Sequence, residues 1–314
     1  MKRVLIFGDG QIGNFYLNYF KAKGDQAELA SKVDIRNYQQ AARAIKKYKP
    51  SVIINTAAMT NLEWCGQHPL EAFDNNVLGA AVLAKAADDY GVYFVHFSSG
   101  CIFSSLDGTD AKKEDDEPNP SSYYGWTKVW SEQMVSADRS PKFKYLILRP
   151  RQPVSAQVSH RNMLVKMLTF SKFIDTANSG TVIEDLMDWT DQLIDKKAIG
   201  VYHVANTGYT SPYKISLLIK KHILPGLKPE KISKDELDKL TPNKRVDTVL
   251  NVDKLQKLGI KVVPYEKRLE NVVKKLAENI QAMDKGKLKA ELELTASESR
   301  QRTVLNNVYQ GLYK

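Results

Sequence analysis

Cysteine is scarce in this chain, with Cys65 and Cys101 the two among 314 residues. Two cannot build a disulfide framework or a four-ligand zinc site. Long apolar runs are missing too: none approaches the roughly 18 residues of a membrane span. The opening Met1-Lys-Arg-Val-Leu-Ile-Phe7 leads straight into a strand pattern and not into a signal peptide. Extended runs of one charge, low-complexity segments and internal repeats are lacking as well. These absences exclude secreted, membrane and disordered classes, and a reducing cytoplasm is the expected setting.

The composition that remains is that of a soluble globular chain, 43% hydrophobic and 26% charged, and it can bury one or two cores. Lys and Arg outnumber Asp and Glu by 46 to 36, a net charge of +10. The excess is uneven. Residues 211–314 hold 22 basic and 13 acidic side chains, whereas residues 1–210 hold 24 and 23. In the last third, from Lys228 to Lys261 and from Lys267 to Lys289, bases and acids interleave at helical spacing. That pattern describes solvated helix faces better than a nucleic-acid surface.

Short apolar runs alternate with helical stretches through the first half. Val4–Phe7, Val52–Asn55, Val92–Phe97 and Tyr145–Leu148 have the make-up of strands buried on both faces. Between them, Tyr38 to Tyr48 and Ala72 to Tyr90 carry apolar residues at i, i+3 and i+4. Alternation of this length implies right-handed crossovers and a parallel sheet covered on both faces. A further strand, Gly200–Ala205, follows the less regular segment 152–197, so the chain leaves the sheet to build a cap and then returns. Lys267–Lys314 reads as one or two charged helices broken near Gly286.

Strand one ends in Gly8-Asp9-Gly10-Gln11-Ile12-Gly13, followed by a helical pattern from Asn14 to Lys23. Between a first strand and a first helix, this spacing suits a dinucleotide. Gly8 permits the turn, Gly10 lets a pyrophosphate approach the backbone, and Gly13 lets helix and strand pack closely. The helix N-terminus favours the anion. A second strand leads to Asp34-Ile35, where an acid could face the adenosine; Ser31 and Lys32 could equally take a 2′-phosphate.

Chemistry belongs outside the carboxyl ends of such strands. Two Tyr-x-x-x-Lys pairs occur, Tyr19/Lys23 and Tyr124/Lys128. The first lies on the helix after the glycine loop, beyond its phosphate end, and is assigned to packing and surface. The second opens the helix after a Pro-rich acidic loop, and its two side chains share one helix face. An ammonium beside a phenol favours the phenolate and makes tyrosine a usable acid or base. The strand Val92–Phe97 ends in Ser98-Ser99-Gly100-Cys101-Ile102-Phe103, which brings hydroxyls to the same edge.

With these features on the page, the chain resembles an extended short-chain dehydrogenase/reductase. The resemblance rests on the glycine loop, Asn55-Thr-Ala57-Ala58, Asn76-Val-Leu-Gly, the Ser-Ser strand end and Tyr124-Gly-Trp-Thr-Lys128. More narrowly it resembles dTDP-4-dehydrorhamnose reductases, and most of all the 3,5-epimerase/4-reductase of plant-type UDP-rhamnose synthesis. Glu63-Trp64-Cys65, Gly100-Cys101-Ile102-Phe103, Arg149-Pro-Arg151-Gln-Pro153-Val-Ser155, Arg161-Asn162-Met-Leu-Val-Lys166, Asn178 to Leu186 and Gly200-Val-Tyr-His203 carry this narrower match, over about residues 3–280. The resemblance implies a Rossmann-type doubly wound parallel sheet with a smaller substrate-binding cap. Residues 1–150 would form the dinucleotide domain. Residues 151–280 would form mainly the cap, with 200–205 returning to the sheet, and 281–314 a helical extension of unassigned role.

It also implies a reaction. Ser99, Tyr124 and Lys128 would form the reductase triad, acting on the C4 ketone of a nucleotide-linked 4-keto-6-deoxyhexose. Cys101 and Lys166 would first epimerise C3 and C5, with Lys166 favouring the Cys101 thiolate, and the product would be an NDP-L-rhamnose. Gly8, Gly10, Gln11, Ile12, Gly13, Asp34, Ile35, Ala57, Ala58 and Lys128 would hold the dinucleotide, and Asn162 a substrate phosphate. The glycine loop is one residue shorter than the usual family loop, which leaves NADPH and NADH both open. A plain 4-reductase and a non-catalytic NAD(P)-binding regulatory protein are the alternatives. The expected partner is a nucleotide sugar, with no nucleic acid, no membrane and no metal; a homodimer is left open. His96 and His203 are expected as core or edge histidines. His68, His160 and His222 have no ligand spacing, and Cys65 is expected to be a packed helix residue.

Overall fold

Four of the apolar runs become neighbouring strands because each buries nearly every side chain. In the computed structural model, which describes residues 1–105, 110–137, 139–241, 243–298, 308 and 311–312, they are β1 (Arg3–Phe7), β3 (Val52–Asn55), β4 (Tyr93–Phe97) and β5 (Tyr145–Arg149). With β2 (Gln26–Leu29) and β6 (Gly200–His203) they form one parallel sheet in the order β2-β1-β3-β4-β5-β6. Strand order reverses beside β1, so a crevice opens outside the carboxyl ends of β1 and β3. Phe7 pairs with Asn55, and Asn55 with His96. This register brings Gly8, Thr56 and Ser98 to one edge.

Helices α1 (Gln11–Ala22), α2 (Tyr38–Tyr48), α3 (Gly79–Asp89) and α4 (Tyr123–Ser136) supply the crossovers. The α2 pattern is legible to the residue: Asn37 caps it by accepting from Gln40 N, and Lys49 leaves it in the left-handed conformation at φ 47°. Ala72 to Tyr90 is helical, with a π-turn at Asp74–Leu78 before α3. The sheet is covered on both faces, by α1 with a later helix on one side and by α2 and α3 on the other. It is a Rossmann-type doubly wound sheet, as the sequence implied.

The segment 152–197 divides between two cores. Val154, Val158, the short helix α5 (Met163–Met167) and Phe173 join a second cluster with α7 (Pro212–His222) and α8 (Tyr265–Ala282). Helix α6 (Ile183–Asp195) instead lays Leu186, Trp189 and Leu193 against the sheet's cluster. Tyr19 and Lys23 reach Asp191 of α6, so the first Tyr/Lys pair pins helices together, as assigned. The break in the last stretch lies at Met283 and Asp284, where α8 gives way to α9 (Lys285–Glu298); Gly286 falls inside α9. Among the described residues no helix is long and apolar enough to cross a membrane.

Candidate active site

The glycine loop is fixed by close approach. Gly8 has φ +105°, and a Cβ on it would stand 2.6 Å from Ala57 N; a Cβ on Gly13 would meet the Gly8 carbonyl oxygen at 1.9 Å. Neither position accepts a side chain. Gly10 differs, since the nearest atom to a Cβ there is Arg161 Nη1 at 3.6 Å. Gly10 is also the N-cap of α1 and has no side-chain cap. Beside it, Gln11 Nε2 is buried with no partner. An open backbone face, free helix N–H groups and an orphaned amide donor fit a pyrophosphate. Ile12 packs against the sheet core, and Ala57 N donates to Asn55 Oδ1 at 3.1 Å. Ala58 follows it, half-buried.

The second strand ends before Asp34 and does not lead directly to it. β2 stops at Leu29, and the chain turns where Val33 N donates to Ala30 O at 3.2 Å. Asp34 lies beyond that turn. Its carboxylate takes Arg36 Nε and Nη2, both at 2.9 Å, and these bonds hold it below the usual carboxylate range. Ile35 is a core residue whose Cδ1 would lie 2.4 Å from a Cβ on Gly79. The exposed side chains next to the end of β2 are therefore Ser31 and Lys32.

Ser99, Tyr124 and Lys128 come together as expected. Ser99 leaves β4, and its oxygen accepts from Cys101 N at 3.1 Å, capping the turn Gly100–Ile102. Ser122 starts α4 by accepting from Gly125 N at 3.1 Å. That places Tyr124 in the first turn, with Ser99 close enough to its phenol to favour the charged form. Lys128 Nζ lies 6.0 Å from the Tyr124 ring centroid and donates to Phe97 O at 2.8 Å.

The electrostatics reverse one expectation. Burial pushes the Tyr124 phenol well above its ordinary 10, and Ser99 and Arg151 offset this only in part. Lys128 does not pull it down, because its ammonium faces the Phe97 carbonyl and is itself buried. Burial lowers Lys128 to about 8, against the opposing pull of Glu132. In this state Tyr124 is a proton donor and not a phenolate.

Cys101 is half-buried next to this group and packs with Tyr124, Trp64 and Cys65. The cation in contact with it is Arg151, whose Nη1 donates to Cys101 Sγ at 3.0 Å. Arg151 is buried and held by Asn178 Oδ1 and Val246 O, each at 2.5 Å. Its role went unnoticed in the sequence, although a second arginine just past a buried strand end was a usable signal. Cys65 is sealed off, donates to Met59 O at 3.4 Å and is pushed by burial up to about 11. Lys166 lies half-buried on α5.

Asn162 is engaged within the chain. It is fully buried, donates to Ser155 O and Gln157 O at 2.8 and 2.7 Å, and caps α5 by accepting from Leu164 N. Both amide hydrogens are used within the chain, so none is offered to a substrate phosphate. Trp126 stacks on Trp130 and faces outward, 41% exposed. His96 sits between Asn55 and Ser131, kept neutral by burial. Among the described residues no cluster of three His, Cys, Asp or Glu could hold a metal ion.

A doubly wound sheet with a glycine loop at β1 and Ser, Tyr and Lys at the β4 edge defines the short-chain dehydrogenase/reductase class. Within it, residues 1–278 match the RmlD substrate binding domain, and the chain belongs to that family. It is 27% identical over 263 residues to the bifunctional dTDP-4-dehydrorhamnose 3,5-epimerase/dTDP-4-dehydrorhamnose reductase of Arabidopsis thaliana, covering 80% of this chain and 86% of that one. It is 29% identical over 224 residues to a trifunctional UDP-glucose 4,6-dehydratase/UDP-4-keto-6-deoxy-D-glucose 3,5-epimerase/UDP-4-keto-L-rhamnose-reductase of the same plant. That match covers 68% of this chain but spans about a third (33%) of the plant protein. The UDP-rhamnose synthase of Acanthamoeba polyphaga mimivirus superposes with a TM-score of 0.80 at 24% identity, over 87% of this chain and 99% of that one. The dTDP-4-dehydrorhamnose reductase of Bacillus anthracis, in complex with NADP, gives 0.76 at 24% identity, over 86% and 98%.

Proposed function

We propose that this protein is an NADPH-dependent 4-reductase of a nucleotide-linked 4-keto-6-deoxyhexose that first epimerises C3 and C5, yielding an NDP-L-rhamnose. The observation that carries the reading is the meeting of Ser99, Tyr124, Lys128 and Cys101 at the edge that also bears the glycine loop. The names of the plant and viral relatives support the same chemistry. Residues 1–150 hold the dinucleotide through Gly8, Gly10, Gln11 and Gly13, and residues 151–280 mainly form the substrate cap. NADPH is favoured because Ser31 and Lys32, not a carboxylate, follow β2.

The dinucleotide, when bound, supplies the hydride for C4. Ser99 orients and polarises the ketone oxygen, Tyr124 gives it a proton, and Lys128 holds the ribose and stabilises the tyrosinate left behind. The same ketone acidifies the hydrogens on C3 and C5. Cys101 removes such a proton while Arg151 donates to its sulfur, and Lys166 returns one from the opposite face. The test is product analysis by mass spectrometry and NMR, in deuterated water, with UDP- and dTDP-4-keto-6-deoxyglucose and each dinucleotide. A rhamnose nucleotide deuterated at C3 and C5 is expected. Failure of both sugar nucleotides to oxidise either dinucleotide overturns the reading; reduction without deuterium entry leaves a plain 4-reductase.

A further inference from the structure

Arg161 lies exposed on the segment between Val158 and α5, whose apolar residues join the second core, and its guanidinium reaches the phosphate loop of the first. Nη1 is the nearest atom to the open face of Gly10, 3.6 Å from where a Cβ would be. Arg161 is exposed, and no acid among the described residues pairs with it, so its charge is available to a ligand. The segment that carries it is firmly held. Arg161 N donates to Ser159 Oγ at 3.3 Å, and its neighbour Asn162 is tied at three points to the loop and to α5. On its other side, His160 is gripped by Glu291 of α9, whose Oε2 accepts from His160 N at 2.6 Å and contacts Nδ1 at 2.9 Å. Helix α9 lies beyond the part of the chain that matches the family, which ends at residue 278. It buries Leu288 and Leu292 in the second core.

We infer that Arg161 is a clasp that grips the pyrophosphate of the dinucleotide from the cap side, and that α9, through Glu291 and His160, holds the clasp in place. This rests on the dinucleotide reading above and adds to it. A pyrophosphate on α1 meets the backbone N–H groups from below, and these carry only partial charge. A guanidinium above the same face supplies a full charge and a planar fork suited to phosphate oxygens.

The sugar nucleotide also contains a pyrophosphate, so the test compares both ligands on the full chain. Dissociation constants for NADPH and for UDP are measured by calorimetry or fluorescence for the parent, Arg161→Gln, Arg161→Lys and Glu291→Gln, with thermal melts to confirm folding. Arg161→Gln should weaken NADPH about tenfold and flatten its salt dependence, with UDP affinity within twofold of the parent. Arg161→Lys should recover part of that loss, and Glu291→Gln should cost NADPH affinity a few-fold. NADPH affinity unchanged in Arg161→Gln overturns the clasp, as does equal weakening of both ligands, which reports a displaced cap. Unchanged affinity in Glu291→Gln overturns the bracing role of α9. A parent protein that binds no dinucleotide overturns the reading beneath it instead.

Discussion

Lys128 should make the fold less stable while serving its site, and the size of this effect can be worked out. Its ammonium is fully buried, and burial lowers its pKa from 10.5 to about 8. At 1.36 kcal/mol for each pH unit, keeping it charged at pH 7 costs the fold about 3 kcal/mol. Lys128→Met keeps the length and removes the charge. It also loses the bond to Phe97 O, worth about 1 kcal/mol. Glu132 is not orphaned, since Arg149 Nε and Nη2 reach it at 2.8 and 2.6 Å. The variant should therefore be inactive yet more stable by about 2 kcal/mol at pH 7, read from urea unfolding. The advantage depends on pH. A lysine depressed in the fold carries its full penalty below about 8, and releases its proton before the unfolded chain does as pH rises toward 10.5. The parent thus gains relative to Lys128→Met across that window, and the gap closes. A variant less stable than the parent at pH 7, or a gap that ignores pH, refutes the reasoning.

Tyr124→Phe removes the proton donor, so turnover should fall by about 10²–10⁴ with NADPH affinity nearly intact; Tyr19→Phe, at a residue that touches α6, should leave turnover alone. Cys101→Ser and Lys166→Met should each suppress deuterium entry at C3 and C5 while dinucleotide binding persists, and undiminished exchange in Cys101→Ser would return Cys101 to packing. The reductive kcat should fall as pH rises through about 8, where Lys128 loses its charge, and a flat profile to pH 9 would remove Lys128 from the step.

Periodicity was enough for the sheet and for α2, because strands buried on both faces leave little choice of residue. It was weaker where packing overrides local pattern. Nothing in the amphipathicity of Ile183–Asp195 says whether that helix lies on the sheet or in the cap; its hydrogen bond to Tyr16 and its burial in the sheet's cluster decide it. Asp34 was legible as an acid near the second strand, but the turn at Ala30 and its pairing with Arg36 were not. That Asn162 caps a helix from a buried position was not legible either, since a capping asparagine and a ligand asparagine look alike in sequence. The Tyr124/Lys128 pair was legible as a spacing, but its electrostatics were not, since i, i+4 proximity says nothing of burial. Arg151 reaches Cys101 across 50 positions of sequence, a distance no local motif spans.

The direction of Tyr124's shift sets what the rest of the site must supply. A phenol held above its ordinary range stays protonated near neutrality but is a weaker acid, so giving its proton to a carbonyl oxygen requires that the charge left behind be stabilised. After the transfer, the buried tyrosinate would be costly if left alone. Two groups already stand where that charge develops. Ser99 neighbours the phenol, and the Lys128 ammonium lies 6.0 Å from the Tyr124 ring centroid while it donates to Phe97 O. Burial disfavours the charged form of both Tyr124 and Lys128, so the tyrosinate that donation leaves behind needs a partner at the moment it forms. Lys128 and Ser99 are the groups in this site placed to be that partner, and a Lys128→Met variant that donates as readily as the parent would exclude Lys128 from that task.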